Sequence, residues 1–362
     1  MFKIAMVSAG EDRFPASCIS RIREVAIIDC KRCNNPEELV AFAADADIIW
    51  MFGANVAVKP EALVKLPKCR AILRSGSGLD ALPLEFCKQN NIGVYNTPES
   101  ISESVAEHAV SLLFALARHL VQFDAQVHKG GWDSSNIQTK WHLTGRTLGL
   151  VGYGRIARTV EKMVSGFDMK VIHFDPFAEN STPLDTLLAE SDFVSLHCPL
   201  TDETRDLMDE RRFALMKQDA LLVNTSRGEV VNEAALLNAL NSGRLGGAAL
   251  DVLCDEPPKP DNPLLKDERV ILTPHVAAFS SDFEKNFWYY SAEKLVEICK
   301  KMGKIRNIEN EKIDCFLQSV EFIHSAGGTA GAGDPPERRL QGRRRYCFQY
   351  HRSSCRCALP GR

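Results

Sequence analysis

The sequence predicts an α/β protein made of two doubly wound parallel sheets with a cleft between them. Three observations carry this. Short apolar runs alternate with stretches of helical period up to about Met302. The alternation comes in two blocks, one on either side of a long stretch with one apolar face. The second block opens on an apolar run that passes directly into a glycine-rich turn.

In the first block the strand-like runs are Lys3 to Ser8, Val25 to Asp29, Ile48 to Phe52, Ala71 to Leu73 and Gly93 to Tyr95. Helical stretches such as Asn35 to Ala44 and Pro60 to Leu66 lie between them. Thr97-Pro98 ends the block, because proline disfavours helix at the residue before it. A long helix is expected next, with Ser100 and Glu103 at capping-box spacing. Val105, Ala109, Leu112, Leu113, Leu116 and Leu120 would form its apolar face. Its length suits a domain connection or a subunit interface.

The second block begins at Leu148-Gly149-Leu150-Val151. Its further strands are expected at Lys170 to Phe174, Phe193 to Leu196, Ala220 to Asn224, Ala248 to Val252 and Val270 to Thr273. A helix from about Ser281 to Met302 closes the compact region. From Glu311 onward the composition becomes flexible and basic, with Gly327, Gly328, Gly331 and Gly333 followed by Arg338, Arg339 and Arg343 to Arg345. Residues 311–362 read as a disordered basic tail and take no part in the fold reasoning.

Composition narrows the function classes. The net charge of −3 supplies no overall basic field to recruit nucleic acid or anionic lipid. No run approaches the length of a membrane span, and the first residues read as a buried strand rather than a signal peptide. The twelve cysteines are scattered and form no tight framework, which points to reduced thiols and a cytoplasmic location. Cys347, His351, Cys355 and Cys357 lie close together in the tail, yet their spacing matches no zinc pattern, so no metal site is expected.

The turn after Val151 is Gly152-Tyr153-Gly154-Arg155-Ile156-Ala157. Gly152 permits a tight turn, Gly154 lets backbone approach a pyrophosphate, and Ala157 is small enough for close helix–strand packing. The helix that follows offers free N–H groups to phosphate. The next strand ends at Asp175, whose carboxylate would accept from ribose hydroxyls and repel a 2′-phosphate. This register of strand, loop, helix, strand and acid predicts NAD binding.

Three polar residues fall just beyond strand ends of the same block, where an open α/β sheet forms its ligand crevice. Arg227, after Val223-Asn224-Thr225-Ser226, can grip a carboxylate with two parallel hydrogen bonds. Glu256 precedes Pro257-Pro258, and His275 follows Thr273-Pro274. An imidazole exchanges a proton near neutral pH, and a carboxylate partner would fix the ring. Taken singly, each has a plain structural explanation: a capping arginine, a loop acid, a buried histidine. His197 reads as structural or as lining the cofactor site.

The order of the motifs is more specific. Arg74-Ser75-Gly76-Ser77-Gly78-Leu79-Asp80, Val105-Ala106-Glu107-His108, the stretch Leu143 to Ile156, and His197-Cys198-Pro199-Leu200-Thr201 come first. Val223 to Asn232, Ala249-Leu250-Asp251-Val252, Glu256-Pro257 and Thr273 to Ala277 follow. Over roughly residues 1–310 the chain resembles the D-isomer-specific 2-hydroxyacid dehydrogenases. That resemblance implies a flavodoxin-like substrate domain (1–99 plus 280–310) and a Rossmann NAD-binding domain (100–279).

It also implies hydride transfer between the nicotinamide and C2 of a 2-hydroxy or 2-oxo acid. Arg227 would hold the carboxylate, His275 would be the acid/base, and Glu256 its partner. Ser77, Arg155, Ile156, Asp175, Cys198, Thr225, Asp251 and His275 would touch or approach NAD, with Gly152 and Gly154 at the pyrophosphate. The backbone at Ser75, Gly76, Ser77 and Gly78 would help hold the carboxylate. Arg74 matches an arginine of phosphoglycerate dehydrogenases, but the region of Gly53 to Val56 lacks a second one. Glyoxylate and hydroxypyruvate therefore stay beside 3-phosphoglycerate as substrate classes. A homodimer through residues 100–150 is implied too. The alternative is an NAD(H)-responsive scaffold of the C-terminal-binding-protein type, which the segment His275 to Ser281 also resembles.

Overall fold

A computed structural model describes residues 1–53, 56–132 and 141–303. The basic tail, with its cysteines and arginines, lies outside the described residues, as do Ala54 and Asn55.

The first sheet contains β1 (Phe2–Met6), β2 (Ala26–Cys30), β3 (Ile48–Met51), β4 (Ala71–Arg74) and β5 (Gly93–Asn96). Their order is β2-β1-β3-β4-β5, with every pair parallel. Helices α1 (Ala16–Arg23), α2 (Pro36–Ala43), α3 (Pro60–Leu63) and α4 (Leu84–Gln89) connect the strands. Local chemistry starts α2: the Asn35 side chain accepts from Glu38 N–H at 2.9 Å, Pro36 opens the helix, and Glu38 reaches back to Asn34 N–H. Such reciprocal caps are worth about 1 kcal/mol.

Two helices follow the first sheet, α5 (Ser102–Ala117) and α6 (Leu120–His128). The single helix expected through Leu120 is broken at His119, which takes the left-handed conformation at φ 50°. The expected capping box is absent. Ser100 closes a short 3-10 turn by donating to the Thr97 carbonyl, so α5 begins two residues later. Proline at 98 removes one donor and tightens this turn, which displaces the helix start.

The second sheet contains β6 (Thr147–Val151), β7 (Lys170–Phe174), β8 (Phe193–Leu196), β9 (Ala220–Asn224), β10 (Leu245–Leu250) and β11 (Val270–Leu272). Its order is β11-β10-β9-β8-β6-β7, again all parallel. Helices α7 (Arg155–Val164), α8 (Leu184–Glu190), α9 (Glu210–Leu215) and α10 (Glu233–Asn241) intervene. Strand β10 starts and stops earlier than expected, because Leu245 and Gly247 pair with β9 across a register shift and Asp251 turns out of the sheet. The last helix, α11, covers residues 283–303.

Each sheet is buried on both faces, as parallel sheets require. In the first, Trp50, Ile4, Met6 and Leu73 pack with Phe287, Trp288 and Leu295 of α11, so the chain returns to the sheet on which it began. The opposite face packs Ile49, Met51 and Ile72 with Leu39, Leu63 and Leu66. In the second, α5 and α7 cover one face through Ala109, Leu113, Val160 and Val164, and α8 to α10 cover the other. Among the described residues no single helix is long and apolar enough to cross a membrane.

Candidate active site

In both sheets the strand order reverses between the first and third strands, and a doubly wound sheet opens its ligand crevice there. In the second sheet the reversal lies between β6 and β8. Gly152 follows β6 at φ +86°, and a β-carbon on it would lie 2.6 Å from the Cys198 amide nitrogen beyond β8. Glycine is thus needed for the backbone angle and for the close approach of the two strand ends. Gly154 caps α7, and a β-carbon there would meet nothing within 4 Å, so space stands open over the helix N-terminus.

Of the rest of the predicted cofactor set, Asp175 and Cys198 lie against this turn. Asp175, at the end of β7, accepts from Tyr153 N–H at 2.8 Å and from Phe177 N–H at 2.9 Å. The glycine turn is thereby pinned to the acid that would face the ribose. Thr225 Oγ1 is buried without a hydrogen-bond partner, and an orphaned hydroxyl of this kind fits a ligand contact. Cys198 is buried, and burial pushes its thiol up to about 12, so it forms a neutral wall. Ile156 packs partly against the core. Arg155 is exposed and pairs with Glu99 at 2.9 Å. His197 bonds to Ser195 Oγ at 2.9 Å, and burial lowers its pKa to about 4, so it is a neutral structural ring. These residues fit a dinucleotide held at Gly152 and Gly154, with its ribose at Asp175.

His275 and Glu256 meet: Nδ1 of the ring lies 2.7 Å from Glu256 Oε2, with the two side chains 49% and 39% exposed. The second Glu256 oxygen accepts from Leu253 N–H at 3.2 Å. His275 has φ 53°, which costs a non-glycine residue on the order of 1–2 kcal/mol. Asp251, only 1% exposed, holds the bend in place. One of its oxygens accepts from Thr273 Oγ1 and from Val276 N–H at 3.0 Å, and the other from Ala277 N–H at 2.9 Å. Its carbonyl accepts from His275 N–H at 2.8 Å. His108 Nε2 joins from α5 at 3.0 Å from Thr273 Oγ1. The role the structure displays for Asp251 is to hold the histidine segment.

Arg227 faces the 74–80 loop of the first sheet. Its Nε and Nη2 donate to Asp80 at 3.1 and 2.9 Å. Arg74, at the end of β4, has an enclosed Nε without a partner. Burial lowers the Arg74 pKa, the Arg227 charge lowers it further, and Asp80 opposes both.

Of the loop residues expected to hold a carboxylate, Ser75 and Gly76 are committed to the fold. Ser75 N–H donates to the Met51 carbonyl, and its Oγ accepts from Trp50 Nε1 at 2.8 Å and meets Ser291 at 2.6 Å. Gly76 N–H donates to Thr97 Oγ1 at 2.9 Å. Each N–H has one proton, and in this structure the Ser75 and Gly76 amides direct theirs into the fold. Among the described residues nothing accepts from the Ser77 or Gly78 amides.

Asp80, His108, Thr273 and Glu99 are the participants that residue-by-residue reading missed. The first three lie in the family-like motifs, but their partners lie far away in sequence.

The comparisons with known proteins agree with this geometry. Residues 110–277 match the family model described as D-isomer specific 2-hydroxyacid dehydrogenase, NAD binding domain. A glyoxylate reductase of Korarchaeum cryptofilum is 38% identical over 71% of this chain and 80% of its own length. A D-3-phosphoglycerate dehydrogenase of Methanocaldococcus jannaschii is 34% identical over 87% of this chain but 66% of its own length, so this chain spans about two thirds of that relative. Among solved structures, an acyclic imino acid reductase in complex with NADPH and D-Arg superposes at TM-score 0.75, with 28% identity over 82% of this chain and 97% of that one.

A two-sheet α/β chain with a dinucleotide turn and a His–Glu–Arg set defines an NAD-dependent oxidoreductase of 2-hydroxy acids. The chain belongs to the D-isomer-specific 2-hydroxyacid dehydrogenase family.

Proposed function

We propose that the protein reduces a small monoanionic 2-oxo acid of the glyoxylate or hydroxypyruvate type to its D-2-hydroxy acid, with NADH as hydride donor. The observation that carries this is the 2.7 Å His275–Glu256 pair, which lies beyond the ends of β10 and β11, next to the strand β9 that is followed by Arg227. Residues 1–99 plus 280–310 would act as the substrate domain and 100–279 as the cofactor domain.

Bound NADH supplies the hydride that C2 of the substrate receives. Arg227 holds the substrate carboxylate, aided by the Ser77 and Gly78 amides. Glu256 engages Nδ1 of His275, which leaves Nε2 as the nitrogen that exchanges the proton. In the protonated ring Nε2 donates to the carbonyl oxygen as C2 accepts hydride; in the reverse direction neutral Nε2 takes the hydroxyl proton. Thr225, Cys198 and Ile156 would line the cofactor pocket, and Arg155 would move from Glu99 toward the pyrophosphate.

A monoanion is favoured because Asp80 balances one of the two guanidiniums, and the segment Gly53 to Val56 contains no further arginine. The glyoxylate reductase relative points the same way. Homodimers through residues 100–150 are proposed from the family and from the exposed apolar side chains Leu120, Val121 and Val127 on α6. A cytoplasmic setting accords with the free thiols at the eight described cysteines.

The test is NADH consumption with glyoxylate, hydroxypyruvate, phosphohydroxypyruvate and pyruvate. Turnover of glyoxylate or hydroxypyruvate is expected. Tight NADH binding with no turnover on any of them would refute the enzymatic reading and favour a scaffold.

Asp175 supplies a second expected result. The structural neighbour's complex with NADPH shows that this fold admits a 2′-phosphate, so the acid at 175 is what argues for NADH here. Asp175→Ala should weaken NADH binding about tenfold and narrow the NADH over NADPH preference in kcat/KM. An unchanged ratio would mean that another group reads the ribose.

A further inference from the structure

The 74–80 loop and Arg227 come from different sheets, and a carboxylate joins them that no part of the proposed reaction uses. Arg227 Nε and Nη2 both donate to the same Asp80 oxygen, at 3.1 and 2.9 Å, across 147 positions of sequence. Nη1 donates to the neighbouring Ser226 carbonyl at 2.7 Å. A guanidinium has five N–H groups, so one on each terminal nitrogen remains unassigned. A β-carbon on Gly78 would lie 1.8 Å from Nη2, so the guanidinium lies flush on the loop backbone and only glycine admits it there.

Asp80 also separates two like charges. The Arg227 charge disfavours protonation of Arg74, and Asp80 opposes this. Burial pushes the Asp80 carboxyl upward, but the Arg227 hydrogen bond and charge, with Arg74 behind them, outweigh it and hold the group below the usual carboxylate range. The acid is therefore ionised at neutral pH.

We propose that Asp80 is the positioning residue for Arg227. It grips the Nε/Nη2 edge across the cleft and lays the guanidinium on the Gly76–Gly78 backbone. The free N–H groups of Nη1 and Nη2 are then set beside the Ser77 and Gly78 amides to receive the carboxylate of a 2-oxo acid. Without Asp80 the two arginines repel, and Arg227 loses the partner that fixes its edge. The inference rests on the role of Arg227 in the proposed function.

Oxamate, a carboxylate isostere of 2-oxo acids, serves as the probe, titrated into the NADH-loaded full chain. In Asp80→Asn, oxamate should bind about tenfold more weakly and KM for the 2-oxo acid should rise by a similar factor, with kcat reduced less and NADH affinity within about twofold of wild type. Asp80→Glu, which restores the charge one methylene further out, should recover part of the loss. In an Arg227→Gln background, Asp80→Asn should cost nothing further, because the residue through which it acts is gone.

Unchanged oxamate binding in Asp80→Asn overturns the proposal, and so does an equal loss in both backgrounds. If Asp80→Asn does not fold, Asp80→Glu carries the same cycle: a raised KM that disappears with Arg227→Gln supports the proposal, and a KM equal to wild type overturns it. A wild-type protein that binds NADH but neither binds oxamate nor turns over any 2-oxo acid overturns the site reading and this proposal together. An active wild type with an indifferent Asp80→Asn overturns this proposal alone.

Discussion

His275→Ala is expected to lower kcat by about three orders of magnitude while NADH still binds, because general acid catalysis by a positioned imidazole is worth roughly 10²–10⁴. The geometry makes this residue hard to replace. Its Nδ1 is engaged by Glu256 at 2.7 Å, which leaves Nε2 for the substrate. Among the described residues of the second block, His197 is also a ring close to a strand end, but burial holds it neutral and Ser195 takes its Nε2. Glu256→Gln keeps a hydrogen-bonding side chain of similar shape and removes the charge. It should therefore cost less than His275→Ala, on the order of tenfold to a hundredfold in kcat, since the ring keeps a hydrogen-bond partner at Nδ1 but the charge-assisted bond that orients it is weakened. Steady-state kinetics and NADH fluorescence titration on the same preparations check both. Turnover retained in His275→Ala would assign the proton to another group.

Asp251→Ala is expected to destabilise the fold by about 3 kcal/mol and to remove most activity, since each buried donor left unsatisfied costs roughly 1–3 kcal/mol. Asp251 is 1% exposed and its two oxygens take the Val276 and Ala277 amides and the Thr273 hydroxyl. These contacts hold the segment in which His275 sits at φ 53°. Without them the histidine segment loses what offsets its left-handed backbone, and the distance to Glu256 is no longer set. Asp251→Asn should be milder, because one oxygen still accepts. Urea unfolding followed by circular dichroism measures the stability change, and kcat on the same variants measures the loss of alignment. A loss below about 1 kcal/mol with normal kcat would show that the network is dispensable. Normal stability with weakened NADH binding would instead return Asp251 to the cofactor, as the family resemblance implies.

Much of the fold was legible because parallel strands buried on both faces must be nearly continuous apolar runs. Lys170–Phe174, Phe193–Leu196 and Ala220–Asn224 are strands at their expected bounds. The dinucleotide turn was legible for a related reason: a tight turn and a close backbone approach can be met only by glycine, and Gly152 meets both demands. Helix boundaries were less legible. Ser100 has the residue type and spacing of a cap, but its hydroxyl donates backward to Thr97, a choice made by the 3-10 turn after Pro98. The break at His119 has no proline or glycine to announce it.

The candidate site divides in the same way. Arg227, Glu256 and His275 were nameable because a strand end in an α/β sheet is a preferred place for chemistry, and residue type suggests the task. Contact between His275 and Glu256 needed the fold, since a separation of 19 residues through a loop says nothing about 2.7 Å. The same holds for Ser75 and Gly76. Their place in a glycine-rich loop suggested amides free to bind an anion, and the fold spends those amides on Met51 and Thr97.

What the sequence determined by itself was local: which runs are strands, where backbone must be glycine, and which side chains have the chemistry for hydride and proton transfer. These follow from short-range sterics and from the period of apolar residues, which a linear chain displays openly. The tertiary structure decided which charges meet. Asp80 and Arg227 are 147 positions apart and belong to different sheets, yet they lie 2.9 Å from each other. Pairing of this kind depends on how two independently buried sheets are joined, and no periodicity along the chain encodes that.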